Sequence, residues 1–303
     1  MKVMFMGTPD IAVGCLEKLA EKYEVVCVVT QPDKPKNRGH KMSMPPVKEK
    51  AMELNIDVVQ PVKLKDGSFL PVLEKYRPDI IAVIAYGRIL PKYILDYPKY
   101  GCINVHASLL PKYRGAAPIQ WSIVNGEKLT GITTMLMSEG LDTGDMLLKK
   151  EIPITDKMTG GELHDEIARL CPSLLIETIE NLDLITPQKQ DDSLSSYAPM
   201  IEKSMTVIDW NKSPKQIVDL VRGMNPLHAA RTSLNGKLIK VYSAEISDKS
   251  GENGAVIAND SGITVGCDGG SVRITELQPE GKRRMSADEY MLGHKVEIGV
   301  KFI

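Results

Sequence analysis

The sequence predicts an α/β protein of two domains. Three observations support this prediction: the pattern of the first half, the different pattern of the last third, and the length of the chain. The first half alternates short β-branched runs with helical patterns, which is typical of a parallel sheet covered by helices. Beyond residue 205, short strand-like stretches recur at regular spacing, separated by turns such as Asn235-Gly236. The length of 303 residues also exceeds that of most single domains, although one large α/β domain is the alternative. We expect a Rossmann-like, mostly parallel sheet domain followed by a small C-terminal β-barrel (OB-like) domain.

The predicted elements of the first half follow one another in a regular order. Strands are expected at residues 2–6, 25–30, 58–60, 80–85 and 102–106. Helices are expected at residues 11–21, 45–55, 68–76, 118–124 and 160–182, with two further apolar runs at 131–137 and 146–154. Residues 109–117 read as a polar loop, and residues 183–203 lack periodicity and read as a linker. The predicted boundaries are therefore a first domain at 1–190, a linker at 191–204 and a second domain at 205–303.

Composition excludes several classes of protein. The hydrophobic share of 43% and the charged share of 25% are those of a globular chain, and the longest apolar run, residues 80–86, is too short to span a membrane. Five scattered cysteines without a CxxC pair suggest neither a disulfide framework nor a cysteine zinc site. We therefore expect the protein to reside in a reducing cytoplasm. The net charge of -1 argues against binding of nucleic acid by a whole basic surface.

Positive charge is nevertheless concentrated in one segment. Residues 31–50 hold six basic residues against two acidic ones, and they follow the predicted carboxyl end of a strand, where open α/β sheets bind ligands. Contact with an anion or a nucleic acid is one interpretation, and a solvated basic loop is the other. The preceding turn at Gly7 has one glycine where a dinucleotide-binding fingerprint needs three, so a structural turn is the better interpretation there.

The end of the fifth predicted strand carries two polar side chains that could take part in binding or catalysis. Strand alternation puts Asn104 and His106 on the same face, so an amide and an imidazole converge beyond the sheet edge. A lone strand histidine is often only structural, but the paired amide and the irregular loop that follows favour a functional site. The glycine-framed turn at residues 140–145 contributes Asp142, which either reverses the chain or approaches His106. Dispersed histidines and cysteines give no metal-ligand spacing, so no metal is expected.

Residues 102–120, which contain the run NVHASLLPKYRGAAPIQ, closely resemble the signature of the methionyl-tRNA formyltransferases, within the wider group of enzymes that use 10-formyltetrahydrofolate. The resemblance runs the whole chain. Further matching landmarks occur in order at residues 7–10, 30–35, 83–87, 140–146, 208–210 and 225–226. The run at 115–120, the basic loop and the C-terminal barrel point to the tRNA branch of the group.

The resemblance implies a catalytic centre of Asn104, His106 and Asp142. It implies a formyl transfer from 10-formyltetrahydrofolate, as co-substrate, to the α-amino group of initiator methionyl-tRNA, with no metal. Asp142 would take a proton from the amine or orient His106, and both roles stay open. A rival is a folate-dependent formyltransferase or hydrolase acting on a small amine or on water, and a second rival is an inactive tRNA-binding module.

The resemblance also implies the residues that contact the two substrates. The tetrahydrofolate site would be bordered by four consecutive residues, Ser108, Leu109, Leu110 and Pro111. Arg38 and Lys41 match the family's loop that enters the tRNA acceptor stem. We expect a monomer in the cytoplasm, with no membrane partner.

Overall fold

The computed structural model describes residues 1–36 and 41–303, without the side chains of Lys36 and Lys41. The chain divides into two compact units. The first consists of Met1–Pro118, Leu129–Pro153 and His164–Ala198, and the second of Ile119–Lys128, Ile154–Leu163 and Pro199–Ile303. The boundaries predicted from the sequence, 1–190 and 205–303 with a linker between them, stay a prediction.

The α-helices and strands of the first two thirds of the described chain include every predicted element and five short ones that the sequence did not predict. In chain order, these helices and strands are β1 (Lys2–Gly7), α1 (Val13–Lys22), β2 (Glu24–Val29), β3 (Lys34–Lys36), β4 (Lys41–Ser43), α2 (Pro46–Glu53), β5 (Val58–Val59), α3 (Leu70–Tyr76), β6 (Ile80–Ile84), α4 (Lys92–Leu95), β7 (Cys102–His106), β8 (Arg114–Gly115), α5 (Pro118–Val124), β9 (Leu129–Leu136), β10 (Met146–Pro153), α6 (Gly160–Glu180) and β11 (Tyr197–Ala198). The five that the sequence did not predict are β3, β4, α4, β8 and β11. The remaining elements are α7 (Pro214–Met224), β12 (Ala230–Leu234), β13 (Lys237–Ser247), β14 (Val256–Ala258), β15 (Ile263–Cys267), β16 (Gly270–Pro279), β17 (Met285–Ser286) and α8 (Ala287–Gly293).

Seven strands form the main sheet of the first unit, in the order β10-β9-β7-β6-β1-β2-β5. The five strands from β7 to β5 are parallel, whereas β9 pairs antiparallel with β7 and β10 antiparallel with β9. β6 and β7 are buried along their whole length, as expected for inner strands covered on both faces. The sheet confirms the predicted mostly parallel, Rossmann-like fold. Because parallel strands end at one edge, the residues that follow β1, β2, β6 and β7 share that edge.

Helix α1 shows how the sequence pattern builds this unit. Its buried residues Cys15, Leu16 and Leu19 lie on one helical face, which the apolar spacing of the sequence predicts. The strands present large apolar side chains to their surroundings, among them Met4 and Met6 of β1, which are fully buried. Burial of such side chains contributes about 1.5–3 kcal/mol each, so the core holds the sheet edge in place.

A two-stranded sheet joins two segments that the sequence predicts to be irregular. β11 pairs parallel with β8, with Tyr197 opposite Arg114 and Ala198 opposite Gly115. The Arg114 N–H donates to the Ser196 carbonyl at 2.9 Å, and the Ala116 N–H donates to the Ala198 carbonyl at 2.9 Å. The expected loop at 109–117 and the expected linker at 183–203 therefore each contain a short strand. The sequence gives no sign of them, because a strand of two residues has no periodicity.

The second unit contains an antiparallel sheet in the order β12-β13-β16-β15-β14, with β17 on β16. The C-terminal residues reach both edge strands of this sheet: Phe302 bridges Leu234 of β12, and Lys301 bridges Ala255 beside β14. The sheet is closed in this way, which removes its free edges. This finding confirms the predicted β-structured C-terminal domain. The ring of Phe302 also packs against Trp210, with centroids 5.8 Å apart.

Two segments that lie before residue 199, Ile119–Lys128 and Ile154–Leu163, belong to the second unit. The buried Arg222 of α7 donates to the carbonyls of Thr155 and Met158 at 3.1 and 2.9 Å, and its Nε donates to the Asp219 carboxylate at 2.8 Å. The Gly161 N–H donates to the Asn225 carbonyl at 2.9 Å. These long-range bonds explain why Ile154–Leu163 belongs to the second unit.

Candidate active site

Strand β7 brings two polar side chains to the carboxyl edge of the main sheet. Asn104 and His106 are two residues apart, and their side chains therefore lie on one face. Asn104 lies beside Val83 of β6 and Met135 of β9 in the sheet register. Both residues are buried, with exposed fractions of 8% for Asn104 and 6% for His106. In such surroundings the electrostatic interactions of polar groups are stronger than in water.

The His106 imidazole is held by partners on both of its ring nitrogens. Its Nε2 lies 2.9 Å from the Tyr113 carbonyl oxygen, and because a carbonyl only accepts, Nε2 donates the proton. Its Nδ1 lies 3.7 Å from Oδ2 of Asp142. That separation is an ion-pair distance rather than a direct hydrogen bond. The carboxylate therefore complements positive charge on the ring.

The turn that follows β9 positions Asp142. Asp142 has a left-handed backbone (φ 52°), which aspartate adopts more readily than most residues. A Cβ on Gly144 would lie 1.7 Å from the Leu136 carbonyl oxygen, so the turn requires glycine there. Oδ2 of Asp142 accepts a hydrogen bond of 2.8 Å from the Gly115 N–H. The structure thus brings together all three predicted catalytic residues in the first unit, with Asp142 tied to the loop that follows β7.

Gln190 is a residue that the sequence did not reveal as part of this site. Its Nε2 donates to the carbonyls of Asp142 and Gly144 at 2.8 and 2.7 Å, and its Oε1 accepts from Nε of Arg114 at 2.9 Å. One side chain therefore fixes the turn of Asp142 against β8. Gln190 lies in the segment predicted as a linker, and no motif or spacing in the sequence could have identified it.

The Asn104 carboxamide has a different character from its neighbours. It has no hydrogen-bond partner among the residues that the structure describes, although only 8% of the residue is exposed. Its two polar atoms are not fully enclosed, so a ligand or a water can still reach them. A buried amide without a partner is costly unless a ligand or water satisfies it. The amide is therefore available to a substrate beside His106.

The segment of Ser108 to Pro111 is shaped by the next two strands. The Thr133 hydroxyl of β9 donates to the Ser108 carbonyl at 2.7 Å and accepts from the Leu110 N–H at 3.1 Å. Nζ of Lys149 on β10 donates to the Leu110 carbonyl at 2.7 Å, and burial lowers the pKa of this lysine. His106, Thr133 and Lys149 are successive partners across β7, β9 and β10. This cross-strand row holds the predicted folate-bordering backbone, and only knowledge of the register could have revealed it.

The basic segment is described in part. Arg38 lies outside the described residues, and of Lys41 only the backbone, in β4, is described. Lys48 donates to Asp33 at 2.7 Å, and this hydrogen bond holds the pKa of the Asp33 carboxyl below its usual range. Lys50 pairs with Glu17 at 2.9 Å. Two of the six basic residues of 31–50, Lys48 and Lys50, are thus paired with carboxylates.

A second histidine of the first unit also has acidic neighbours. His164 lies between Asp10 and Asp165, at 3.6 and 3.1 Å, on the surface of the first unit. Within residues 1–36 and 41–303, no group of three or more histidine, cysteine, aspartate or glutamate side chains could hold a metal ion. None of the described helices is both long enough and apolar enough to cross a membrane.

Comparison with solved structures shows which folds the chain shares. HypX from Aquifex aeolicus in complex with tetrahydrofolic acid has a TM-score of 0.63 at 17% identity, covering 99% of this chain and 50% of that one. The N-formyltransferase from Helicobacter canadensis, in complex with folinic acid and dTDP-3-aminofucose, has a TM-score of 0.69 at 20% identity, covering 92% and 99%. At these identities the likeness establishes the fold alone.

Comparison with known sequences establishes the family. Models described as "Formyl transferase" and "Formyl transferase, C-terminal domain" match residues 1–179 and 200–295. A curated methionyl-tRNA formyltransferase from Acetivibrio thermocellus is 50% identical over 306 residues, covering 99% of this chain and 98% of that protein. These matches confirm the resemblance seen in the sequence motifs. The chain belongs to the methionyl-tRNA formyltransferase family.

Proposed function

We propose that this protein transfers the formyl group of 10-formyltetrahydrofolate to the α-amino group of methionyl-initiator-tRNA. The family and the full-length likeness to methionyl-tRNA formyltransferases support the reaction. The observation that carries the chemistry is the unpartnered Asn104 amide beside an imidazole and a carboxylate. We also propose that the protein acts as a cytoplasmic monomer, without a metal, since acyl transfer between these substrates requires none.

The reaction is an acyl transfer, and the site has a group for each demand of such a reaction. The amine nitrogen bonds to the formyl carbon, and the formyl oxygen becomes an oxyanion in the tetrahedral intermediate. The C–N10 bond then breaks, and N10 of the folate receives a proton. The Asn104 amide and the Nδ1–H of a charged His106 are donors for the oxyanion, because Nε2 already donates to the Tyr113 carbonyl. Donors already in position cost no reorganisation during the reaction, which is why they stabilise the transition state.

Asp142 is the proposed proton acceptor. An α-amino group has a pKa of about 8, so much of it is protonated at neutral pH and must lose a proton before it attacks. The Asp142 carboxylate takes this proton directly or through a water, while its charge supports the imidazolium of His106 at 3.7 Å. The bond from the Gly115 N–H leaves the second carboxylate oxygen, Oδ1, free to face the amine.

Two further contacts belong to this proposal. The backbone of Ser108, Leu109, Leu110 and Pro111, held by Thr133 and Lys149, would border the tetrahydrofolate. Arg38 and Lys41 would contact phosphates of the tRNA acceptor stem, as a local basic segment in a chain of net charge -1 can do.

The proposed reaction is tested with the purified protein, labelled 10-formyltetrahydrofolate and three acceptors: charged initiator tRNA, charged elongator tRNA and a nucleotide-linked amino sugar. We expect label in the charged initiator tRNA, at a higher rate than in the elongator tRNA, and none in the sugar. If only the amino sugar became labelled, the protein would instead be a formyltransferase that acts on a small amine. Absence of transfer to either tRNA would refute it.

Asn104→Ala tests the donor role of the amide. Loss of one oxyanion donor is expected to lower kcat by about 100-fold or more, with little change in the KM of either substrate. The matched control is Asn181→Ala in the same unit, because that amide lies just beyond α6 and donates to the Glu177 carbonyl of this helix. A kcat within a few-fold of the unsubstituted protein for Asn104→Ala would exclude this role.

Arg38→Ala tests the tRNA contact. We expect kcat/KM for charged tRNA to fall and its dependence on log salt to become shallower by about one unit, because one phosphate contact is lost. The KM for the folate donor should not change. Lys18→Ala, which removes another surface cation, paired with Glu21 on α1, is the control. Equal loss of tRNA and folate binding would contradict the assignment.

A further inference from the structure

Tyr197 is unusual among the aromatic residues of this chain. The sequence has ten tyrosines, three phenylalanines and two tryptophans, and all lie in the described residues. Tyr197 alone among them is exposed, with 64% of its surface accessible. An aromatic side chain gains much of its stabilisation from burial, so exposure of the ring forgoes that gain. Because single exposed apolar residues are common on protein surfaces, exposure by itself decides nothing.

The backbone that carries this ring is well anchored. Tyr197 lies in β11, opposite Arg114 of β8. On either side of it, the Ser196 carbonyl accepts from Arg114 and the Ala198 carbonyl accepts from Ala116, both at 2.9 Å. The Ser196 hydroxyl also accepts from the Tyr113 N–H at 2.9 Å. The backbone that carries the ring is therefore held in place, which lowers the entropy of ordering this segment when a ligand stacks on the ring.

The ring lies beside the proposed catalytic residues. Gly115 has a φ of 119°, and a Cβ built on it would lie 2.8 Å from Cε2 of Tyr197. The N–H of the same glycine donates to the Asp142 carboxylate at 2.8 Å. Standard bond lengths then put the edge of the ring within about 8 Å of that carboxylate. No other exposed aromatic ring of the described chain could serve the site.

The proposed substrate has a group that suits such a ring. Its methionine is esterified to the 3′-terminal ribose, so seven bonds join the reacting amine to the glycosidic nitrogen of the terminal base. Bonds of about 1.5 Å give a span of about 9 Å at full extension. The terminal base is unpaired, and unpaired bases stack on aromatic side chains irrespective of sequence. The reach of the substrate, about 9 Å, is thus long enough to span from Asp142 to the ring, which lies within about 8 Å of the carboxylate.

We propose that Tyr197 is a stacking platform for the 3′-terminal nucleobase of the acceptor tRNA, which places the aminoacyl group against Asp142 and His106. This inference rests on the proposed function, since it requires tRNA as substrate. Stacking supplies affinity and orientation without reading the identity of the base. Gly115 leaves room for the ring. Any larger residue there would collide with the ring and with the Ala198 carbonyl, 2.6 Å from the added Cβ.

The kinetic test compares Tyr197→Leu with Tyr197→Phe. Loss of a stacked base is expected to lower kcat/KM for charged tRNA by about 5- to 150-fold in the leucine variant. The phenylalanine variant keeps the ring and should stay within about 3-fold of the unsubstituted protein, since stacking needs only the aromatic face. The KM for the folate donor should not move in either. Leu184→Ala, which alters another exposed side chain of the same unit, is the control.

A direct readout uses tRNA with the fluorescent base 2-aminopurine at its 3′ terminus. Stacking on Tyr197 should quench this base on binding to the unsubstituted protein and to Tyr197→Phe, and less so with Tyr197→Leu. Equal quenching and equal kcat/KM in all three proteins would overturn the stacking role while the proposed function stood. Loss of folate binding together with tRNA use in Tyr197→Leu would also overturn it, in favour of a structural role. Absence of tRNA formylation by the unsubstituted protein would refute the proposed function and this inference with it.

Discussion

The approach of the Asp142 carboxylate to the His106 imidazole is the constraint on which the rest of the site depends. The two side chains come from a strand end and from a turn after another strand, and they meet at 3.7 Å. This distance is maintained indirectly, by the bond from the Gly115 N–H to Asp142 and by the bond between His106 and the Tyr113 carbonyl. The loop that follows β7 thus holds both groups at once. Any displacement of that loop would separate the base from the imidazole.

Burial strengthens the electrostatic interaction between Asp142 and His106. Charges in a partly dry site interact more strongly than in water, but each buried polar group also needs a partner. Most polar groups here have one within the chain: Gln190 uses both of its amide protons and its carbonyl, and Thr133 both donates and accepts. Asn104 is the exception among the described site residues. A site whose own groups are satisfied, save the one that would face the substrate, is organised before the substrate arrives.

The sequence predicted much of the fold because the relevant signals are local. Alternation in β7 put Asn104 and His106 on one face, and the structure agrees, with the strand ending at the predicted residue. Apolar runs likewise located β9 and β10 to within two residues. The contributions of Gln190, Thr133 and Lys149 were not predictable, because they depend on strand register and on a bond across 48 residues of sequence. The pairing of β8 with β11 was missed for the same reason, and with it the position of Tyr197 beside Gly115.

The most direct test of the central claim is the single-turnover rate of formyl transfer in Asp142→Asn. The substitution removes the charge and keeps the shape and the acceptor for the Gly115 N–H. With charged initiator tRNA and 10-formyltetrahydrofolate both saturating, we expect the rate to fall by about 100-fold or more, as loss of a general base does, with both substrates still bound. A rate within about 3-fold of the unsubstituted protein would contradict the account, because no base would then be needed at this position.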